Sequence, residues 1–551
     1  MKIFQPKLFT VFKQYSKKQL VSDLVAGVIV AIIALPLSIA LAIASGVSPE
    51  KGLYTAIVAG FVIAFLGGSS VNISGPTAAF ATIVAGIVAQ FGTEGLVLAT
   101  IMAGLLLILM GVLRFGALIK YIPYTITTGF TSGIALTILI GQIKDFLGLS
   151  FAPGTHAVET LEKLEAIGKS ISTVNWQAIV VGGIGLAILI VWPKISKKIP
   201  GSLIAVVVGV VIVKAFDMKV NTIGDLYTIT RELPAFSFPS FNFETVRALI
   251  PSAFTIAILA GIESLLSCVV SDGMIGDRHN SNTELIAQGA GNICSGLFGG
   301  IPATGAIART AANVKNGGRS PVSGIVHALV LLLILVLLMP YAAWIPMPII
   351  AAILFMVAYN MCEWRQFVRI CKTAQWHEIL VLVLTFVLTV VFDLVVAIEV
   401  GMVVTAFLFM KKMADSARVR TWTDGDHTHE HTKHIPAHTM VYEIDGPMFF
   451  AAAEKLTALP IQQGARVMIL RMSNVPTLDV SAMRSVQAVY DICKEAEVTL
   501  LLSHVNEQPL TMMKKSGFYN EVGEEHFLPN IDEALSLAER ICRESEGEKT
   551  K

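Results

Sequence analysis

Residues 71–91 read "VNISGPTAAFATIVAGIVAQF", a stretch apolar enough to cross a bilayer that nevertheless carries Gly75, Pro76 and Thr77 in its interior. Pro76 lacks the N–H that an internal helical position needs, but it fits the first turn of a helix, and Gly75 permits an extended approach from residues 69–74. The stretch therefore reads as half strand, half helix. Residues 299–318, "GGIPATGAIARTAANVKNGG", repeat the pattern, with Pro302 and Gly305 ahead of a short helical run.

The surroundings place both interruptions inside a membrane. Of 551 residues 54% are hydrophobic and only 15% charged, a composition foreign to a soluble domain of this size. The formal net charge of +1 excludes a global field that would select nucleic acid. Apolar segments long enough for a core roughly 30 Å thick follow one another. They are predicted near 21–45, 52–67, 76–92, 95–113, 123–143, 175–193, 201–216, 248–271, 283–298, 305–315, 321–340, 345–361, 376–392 and 394–411, fourteen in all. Lysine and arginine test this count, because they concentrate in short cytoplasmic loops. Lys13, Lys17 and Lys18 precede the first span; Arg114 and Lys120 follow the fourth; Lys194, Lys197 and Lys198 follow the sixth. Arg278, the pair Lys315 and Arg319, the group Arg365, Arg369 and Lys372, and finally Lys411 and Lys412 fall on the same side. Both termini are predicted cytoplasmic, and "MKIFQPKLFTVFKQYSKKQL" lacks the cleavage pattern of a removable signal peptide.

The first interruption is the third span of residues 1–216 and the second is the third span of residues 248–411, so each half has seven spans and the halves are inverted repeats. Interrupted spans at matching positions of inverted halves mark a transporter site near the midplane. The two half-helix N-termini then face each other, and their unpaired N–H groups and macrodipoles favour an anion. Thr77, Ala78 and Ala79 are expected to meet Ala306, Ile307 and Ala308 around it, with Arg309 adding charge and Thr77 and Thr304 hydroxyl donors. The competing reading is that these small residues serve only close helix packing.

Glu263 stands alone about halfway along the eighth span, where a carboxylate must face a cavity, take up a proton or find a partner. It is the candidate coupling residue; a structural hydrogen bond, or an ion pair with Arg309, is the alternative. Asp393 and Glu399 read as turn and interface residues, and His327 as a packed histidine. The six cysteines, Cys268, Cys294, Cys362, Cys371, Cys493 and Cys542, have no metal or disulfide spacing. His427, His429, His431, His434 and His438 read as a solvated linker. No metal and no cofactor is expected.

From Met440 the pattern becomes soluble α/β: "HTMVYEIDGPMFFAAA", "ARVMILRMSN" and "VTLLLSHV" read as strands, "SAMRSVQAVYDICKEAE" and "NIDEALSLAERICRE" as helices. The expected organisation is a cytoplasmic N-terminus over 1–20, a transmembrane domain over 21–412, a His-rich linker over 413–438, an α/β domain over 439–543 and a charged tail over 544–551.

"VSPEKGLYTAIVAGFVIAFLGGSS", "ISGPTAAF", "ITTGFTSGIALTILIGQIKDFLGL", "GIESLLSCVVSDGMIG" and "ATGAIARTAANV" together resemble the sulfate permease (SulP) family of anion transporters with a C-terminal STAS domain, most of all its bacterial DauA-type dicarboxylate branch. The resemblance implies a polytopic α-helical fold of seven plus seven spans, divided into core and gate domains with half-helices at spans three and ten. It also implies an elevator-like displacement in a homodimer within a bacterial inner membrane. Substrate contacts carried over by motif are Pro76, Thr77, Ala78, Ala79 and Phe80 from the third span. The tenth contributes Thr304, Gly305, Ala306, Ile307, Ala308 and Arg309, and the first contributes Leu37, Ser38 and Leu41 after Pro36. Glu263 and Ser267 stand where sodium-dependent bicarbonate transporters of the family carry Asp and Thr, so the resemblance implies a proton in preference to sodium as the coupling ion. In the STAS-like region "VPTLDVSAMRSV" falls where anti-sigma-factor antagonists carry Asp-Ser-Ser-Gly; Val480 replaces the phosphorylated serine, and Ser481 is expected to cap the following helix. This domain is expected to bind a cytosolic protein.

The expectation is therefore proton-coupled uptake of four-carbon dicarboxylates such as succinate, fumarate or aspartate, with bicarbonate or sulfate as alternatives. An anion channel and a membrane-anchored sensor are the rivals from other classes. An enzyme is not expected, because no nucleophile, base and oxyanion-site constellation is visible.

Overall fold

A computed structural model describes residues 4–11, 15–117, 123–152, 157, 159–196, 199–230, 232–239, 242–392, 394–422 and 434–548. Lys13, Lys120, Lys197, Lys198, Asp393, His427, His429 and His431 lie outside the described residues. The chain divides into two compact units, residues 1–402 and 403–551.

In the first unit, eight helices among the described residues are long and apolar enough to cross a membrane. They are Lys17–Ala44, Pro49–Leu66, Ala78–Val112, Tyr124–Leu147, Trp176–Ile195, Phe243–Ile275, Val322–Ala342 and Met347–Thr373. Gly201–Ala215 and Trp376–Val391 are shorter apolar helices, the first between the fifth and sixth of these and the second after the eighth. The third of the long helices holds two expected spans. Gly92, at φ +67° and ψ −169°, breaks it at the boundary expected between 92 and 95, in a conformation that glycine adopts without steric cost. Helix Ser281–Leu297 and the nine-residue helix Ile307–Lys315 occupy the ninth and tenth positions. Helix Leu394–Ser416 begins in the first unit and ends in the second. This arrangement is consistent with seven plus seven spans.

Helices Lys17–Ala44, Pro49–Leu66, Ala81–Val112, Phe243–Ile275, Ser281–Leu297, Ile307–Lys315 and Val322–Ala342 pack with one another, and Tyr124–Leu147, Trp176–Ile195, Gly201–Ala215, Met347–Cys362 and Trp376–Val391 form a second group. The second group closes around Ala178, Val181, Ala205, Ile349 and Ala352. In the first group small residues allow backbone-close crossings. A Cβ on Gly104 would lie 2.6 Å from the Gly289 carbonyl oxygen, and one on Gly289 would lie 2.5 Å from the Gly104 oxygen.

The second unit carries a five-stranded sheet, β3 (Arg418–Thr421), β4 (Thr439–Asp445), β5 (Val467–Asn474), β6 (Thr499–Ser503) and β7 (Phe527–Leu528) in that spatial order. Strand β3 runs antiparallel to β4 and the rest are parallel. Helix Val480–Glu495 covers one face over Met468, Leu470 and Leu500, and helix Ile531–Glu548 the other over Val441, Ile469 and Leu501. Residues 413–421, expected as linker, instead complete a helix and add the edge strand, because Arg418–Thr421 pair with Tyr442–Asp445. The helix cap is Asp479, not Ser481: its Oδ1 accepts from the Ala482 amide at 2.8 Å and its Oδ2 from the Phe450 amide at 2.9 Å. Within the linker, His438 Nδ1 lies 2.8 Å from the Gly464 carbonyl oxygen.

Candidate anion site

The two interruptions fold against each other. β1 (Ser74–Gly75) and β2 (Thr304–Gly305) pair antiparallel, Ser74 opposite Gly305 and Gly75 opposite Thr304. Each strand runs directly into a helix: a 3₁₀ turn at Ala78–Phe80 leads into Ala81–Val112, and Ala306 caps Ile307–Lys315. Because the strands are antiparallel, the helices leave in opposite directions and their N-terminal ends converge on the crossing. The first bonds in these helices are Phe80 N–H to the Thr77 carbonyl and Thr310 N–H to the Ala306 carbonyl. The amides of Ala78, Ala79, Ile307 and Ala308 thus belong to first turns, whose N–H groups have no carbonyl one turn earlier.

Buried side chains hold both extended segments in place of the hydrogen bonds that a continuous helix would make. Glu284, 1% exposed, accepts from the Gly68 amide at 2.9 Å, from Asn72 Nδ2 at 2.8 Å and from Gln288 Nε2 at 3.0 Å. Asn292 brackets Ala303, donating to its carbonyl at 2.9 Å and accepting from its amide at 2.8 Å. Asp23, fully buried, accepts from Tyr15 at 2.7 Å, the Arg319 amide at 2.7 Å and Ser320 Oγ at 2.5 Å. Burial, with Asp23 adjacent, pushes the Tyr15 hydroxyl up to about 12. Hydropathy reading missed these residues, because a polar side chain in an apolar run registers only as a weaker span. The available signal was spacing: Glu284, Gln288 and Asn292 recur every four residues, on one helical face.

At the crossing, Thr77 is half-buried and donates its hydroxyl to Glu263 Oε2 at 3.0 Å. Arg309, 4% exposed, donates through Nη2 to the Pro76 carbonyl, and its Nη1 has no partner among the described residues. Among the described residues no ion pair joins Arg309 to Glu263; the arginine ties its own half-helix to the opposite segment. A Cβ on Gly75 would lie 2.5 Å from Arg309 Nη1, so a side chain there would displace the guanidinium. Ala78, Ala79 and Phe80 are buried, Ala306 is half-buried, and Ile307 and Ala308 are exposed.

Three expected contacts sit elsewhere. Thr304 is fully buried, its hydroxyl 2.9 Å from the Ala260 carbonyl and 2.8 Å from Ser264 Oγ, while Ser264 in turn accepts from the Gly305 amide at 2.9 Å. Ser267, also fully buried, donates to Asn72 Oδ1 at 2.8 Å and lies 3.0 Å from Thr310 Oγ1, inside the framework of the extended segment. Leu41 is 2% exposed. Leu37 is half-buried on the same helix, Lys17–Ala44, which packs against Ile307–Lys315; the Ser38 hydroxyl is buried without a partner among the described residues. His327 is 1% exposed, and neither ring nitrogen has a partner among the described residues.

The face that carries the N-terminus is bound by its own charges. Lys7 Nζ contacts Asp277 Oδ1 at 2.9 Å, the Lys7 amide donates to the Gly67 carbonyl at 2.8 Å, and Ser70 donates to Asp277 Oδ2 at 2.6 Å. Burial alone would raise the Asp277 carboxyl, but the Ser70 and Lys7 hydrogen bonds, the Arg278 amide and the Lys7 charge together hold it below the usual Asp value.

Similarity to known proteins agrees with this geometry. The pattern described as Sulfate permease family matches residues 20–385, and that of the STAS domain residues 430–534. A Bacillus subtilis protein named "Putative sulfate transporter YvdB" is 39% identical over 95% of this chain and 98% of its own length. The bicarbonate transporter BicA of Picosynechococcus is 30% identical over 95% of each chain. The solved structure of SLC26A9 superposes with a TM-score of 0.87 over 98% of this chain and 93% of its own, at 19% identity, which establishes the fold alone. With opposed half-helices crossing at a short antiparallel pair and a STAS domain following in sequence, the chain belongs to the sulfate permease family of multi-pass anion transporters and is not an enzyme.

Proposed function

We propose that this transporter couples inward movement of a small carboxylate-bearing anion to a proton, with four-carbon dicarboxylates such as succinate as the first substrates to test. The observation that carries the reading is the 3.0 Å hydrogen bond from Thr77 to Glu263. It joins the residue at the head of one anion-attracting half-helix to a membrane carboxyl that has no cationic partner within ion-pair distance among the described residues. Thr77 and the first-turn amides of both half-helices bind the anion, Arg309 holds the crossing shut behind it, and Glu263 carries the proton. The two groups of helices are the elements that would slide past each other in an elevator-like exchange.

Gln5 and Lys7 bond to the segment that bears Arg278, and Tyr15 meets Ser320 beside Arg319, which supports a cytoplasmic N-terminus. A cytoplasmic C-terminus, a bacterial inner membrane, a homodimer and a cytosolic protein partner of the STAS domain belong to the same proposal. A second reading takes bicarbonate or sulfate as the anion, which the names of the relatives favour, with sodium or a proton as the driver. Uptake of labelled succinate, bicarbonate and sulfate into proteoliposomes under an inward proton or an inward sodium gradient separates them. Proton-driven succinate accumulation supports the first reading; sodium-driven bicarbonate accumulation replaces it, and anion currents without accumulation make the protein a channel.

A further inference from the structure

His327 is a buried titratable side chain that has no part in the transport cycle proposed above. It stands on helix Val322–Ala342, 1% exposed, and neither ring nitrogen has a partner among the described residues. A neutral imidazole carries one N–H donor and one acceptor nitrogen, and burying either without a partner forfeits its hydration. Arg309, 4% exposed, has the complementary defect: Nη2 is spent on the Pro76 carbonyl, and Nη1 has no partner among the described residues.

The packing of three elements brings the two defects together. Asn313 Nδ2 donates to the Val71 carbonyl at 3.0 Å and to Ser323 Oγ at 2.8 Å, so the start of helix Val322–Ala342 is level with Val71. One residue on, a Cβ on Gly324 would lie 3.7 Å from the Asn72 carbonyl oxygen and 2.9 Å from Ala64 Cβ. The helix therefore runs beside the extended segment in the same direction. His327, three residues beyond Gly324 on the same face, comes level with Ser74 and Gly75. Helix Pro49–Leu66 confirms the alignment, because its residues Ala64, Gly60 and Ala56 meet Gly324, Ser74 and Gly75 in turn. Gly75 is the position whose Cβ would lie 2.5 Å from Arg309 Nη1. Arg309 is accordingly the charged group whose field reaches the His327 ring, yet the two side chains do not bond to each other.

We infer that buried water joins these side chains, with Arg309 Nη1 and a His327 ring nitrogen as its ligands. A guanidinium only donates; a water molecule accepts from it and donates in turn to the acceptor nitrogen of the imidazole. His327 is thereby a positioning residue, which steadies the second arm of the guanidinium that ties the two interrupted segments. The inference rests on the bond from Arg309 to Pro76, and not on which anion is carried or which ion drives it.

An electron cryomicroscopy map of the full chain in lipid nanodiscs, at a resolution that shows ordered water, tests the site directly. The expected result is a density peak within hydrogen-bond distance of Arg309 Nη1 and of one His327 ring nitrogen. Direct contact between the two side chains, or ordered side chains with no peak between them, would overturn it. Melting temperatures in the same nanodiscs test the role. With water in place, His327→Leu strands Arg309 Nη1 and melts several degrees below the unsubstituted chain, whereas His327→Gln, which keeps a donor and an acceptor, recovers most of the loss. In an Arg309→Met background His327→Leu costs nothing further. A dry, packed histidine gives the opposite sign, because His327→Leu then removes two unsatisfied nitrogens and melts at or above the unsubstituted chain. That result, or losses that add in the double variant, overturns the inference; should a variant not fold, the map decides alone.

Discussion

Glu263 and Thr77 share one hydrogen bond at the head of a half-helix, so the consequences of changing either are specific. Glu263→Gln keeps an acceptor for the threonine and removes the titratable proton. Accumulation driven by a proton gradient should fall to the level of empty liposomes while anion exchange across the membrane persists; a variant that still accumulates substrate would end the coupling assignment. Gly75→Ala acts through space instead. Its Cβ would lie 2.5 Å from Arg309 Nη1, so the guanidinium must leave the Pro76 carbonyl and the two interrupted segments lose their tie. Substrate affinity measured by calorimetry or competition uptake should weaken about tenfold, equivalent to about 1.4 kcal/mol, with the chain still folded. At this scale the sequence was informative about Pro76, Thr77, Glu263 and Arg309, whose chemistry is unusual for a membrane span. It assigned Thr304 to the anion and Ser267 to the coupling ion, whereas the structure engages both hydroxyls in the framework: a hydroxyl faces ligand or framework according to which neighbour is nearer, and those neighbours, Ala260 and Asn72, are 44 and 195 residues away.

The interrupted segments, taken as elements, survive in the membrane only because other elements satisfy them. A non-helical backbone buried there needs a partner for each N–H and C=O. Glu284 supplies that service for residues 68–72 and Asn292 for Ala303. Glu284→Ala leaves the Gly68 amide and the Asn72 side chain without their acceptor, a loss on the order of 3 kcal/mol. The expected outcome is a markedly lower melting temperature in detergent together with loss of transport. An unchanged melting temperature would mean that the extended segment is held in some other way. The locations of the breaks were legible, since Gly–Pro and Pro-x-x-Gly patterns act within a few residues. The clamps were not: Glu284 reaches its segment from more than two hundred residues away, and Asn292, only 11 residues from Ala303, meets it only because the chain folds back after its helix.

For the whole molecule, a transmembrane unit followed by an α/β unit was legible from the change in hydropathy near Lys412, although the sheet begins earlier than the composition suggests. Arg418–Thr421 are too short and too charged to read as a strand alone; they become one because β4 presents an open edge. The proposed homodimer carries a prediction at this scale: light scattering on the detergent-solubilised protein, corrected for bound detergent, should return the mass of two chains. A mass of one chain would confine the transport cycle to a single protomer.

Hydropathy, the placement of lysine and arginine, and the two matched interruptions were enough by themselves to determine a polytopic membrane protein with inverted halves and a candidate anion site at its half-helices, because each of these signals is local and periodic. Tertiary structure alone decided that the interruptions pair as β1 and β2, that Arg309 binds a carbonyl and not Glu263, and that Thr304 and Ser267 belong to the framework. Those outcomes depend on which of several competing hydrogen-bond partners lies within 3 Å, a choice made only when helices from opposite halves of the chain pack together.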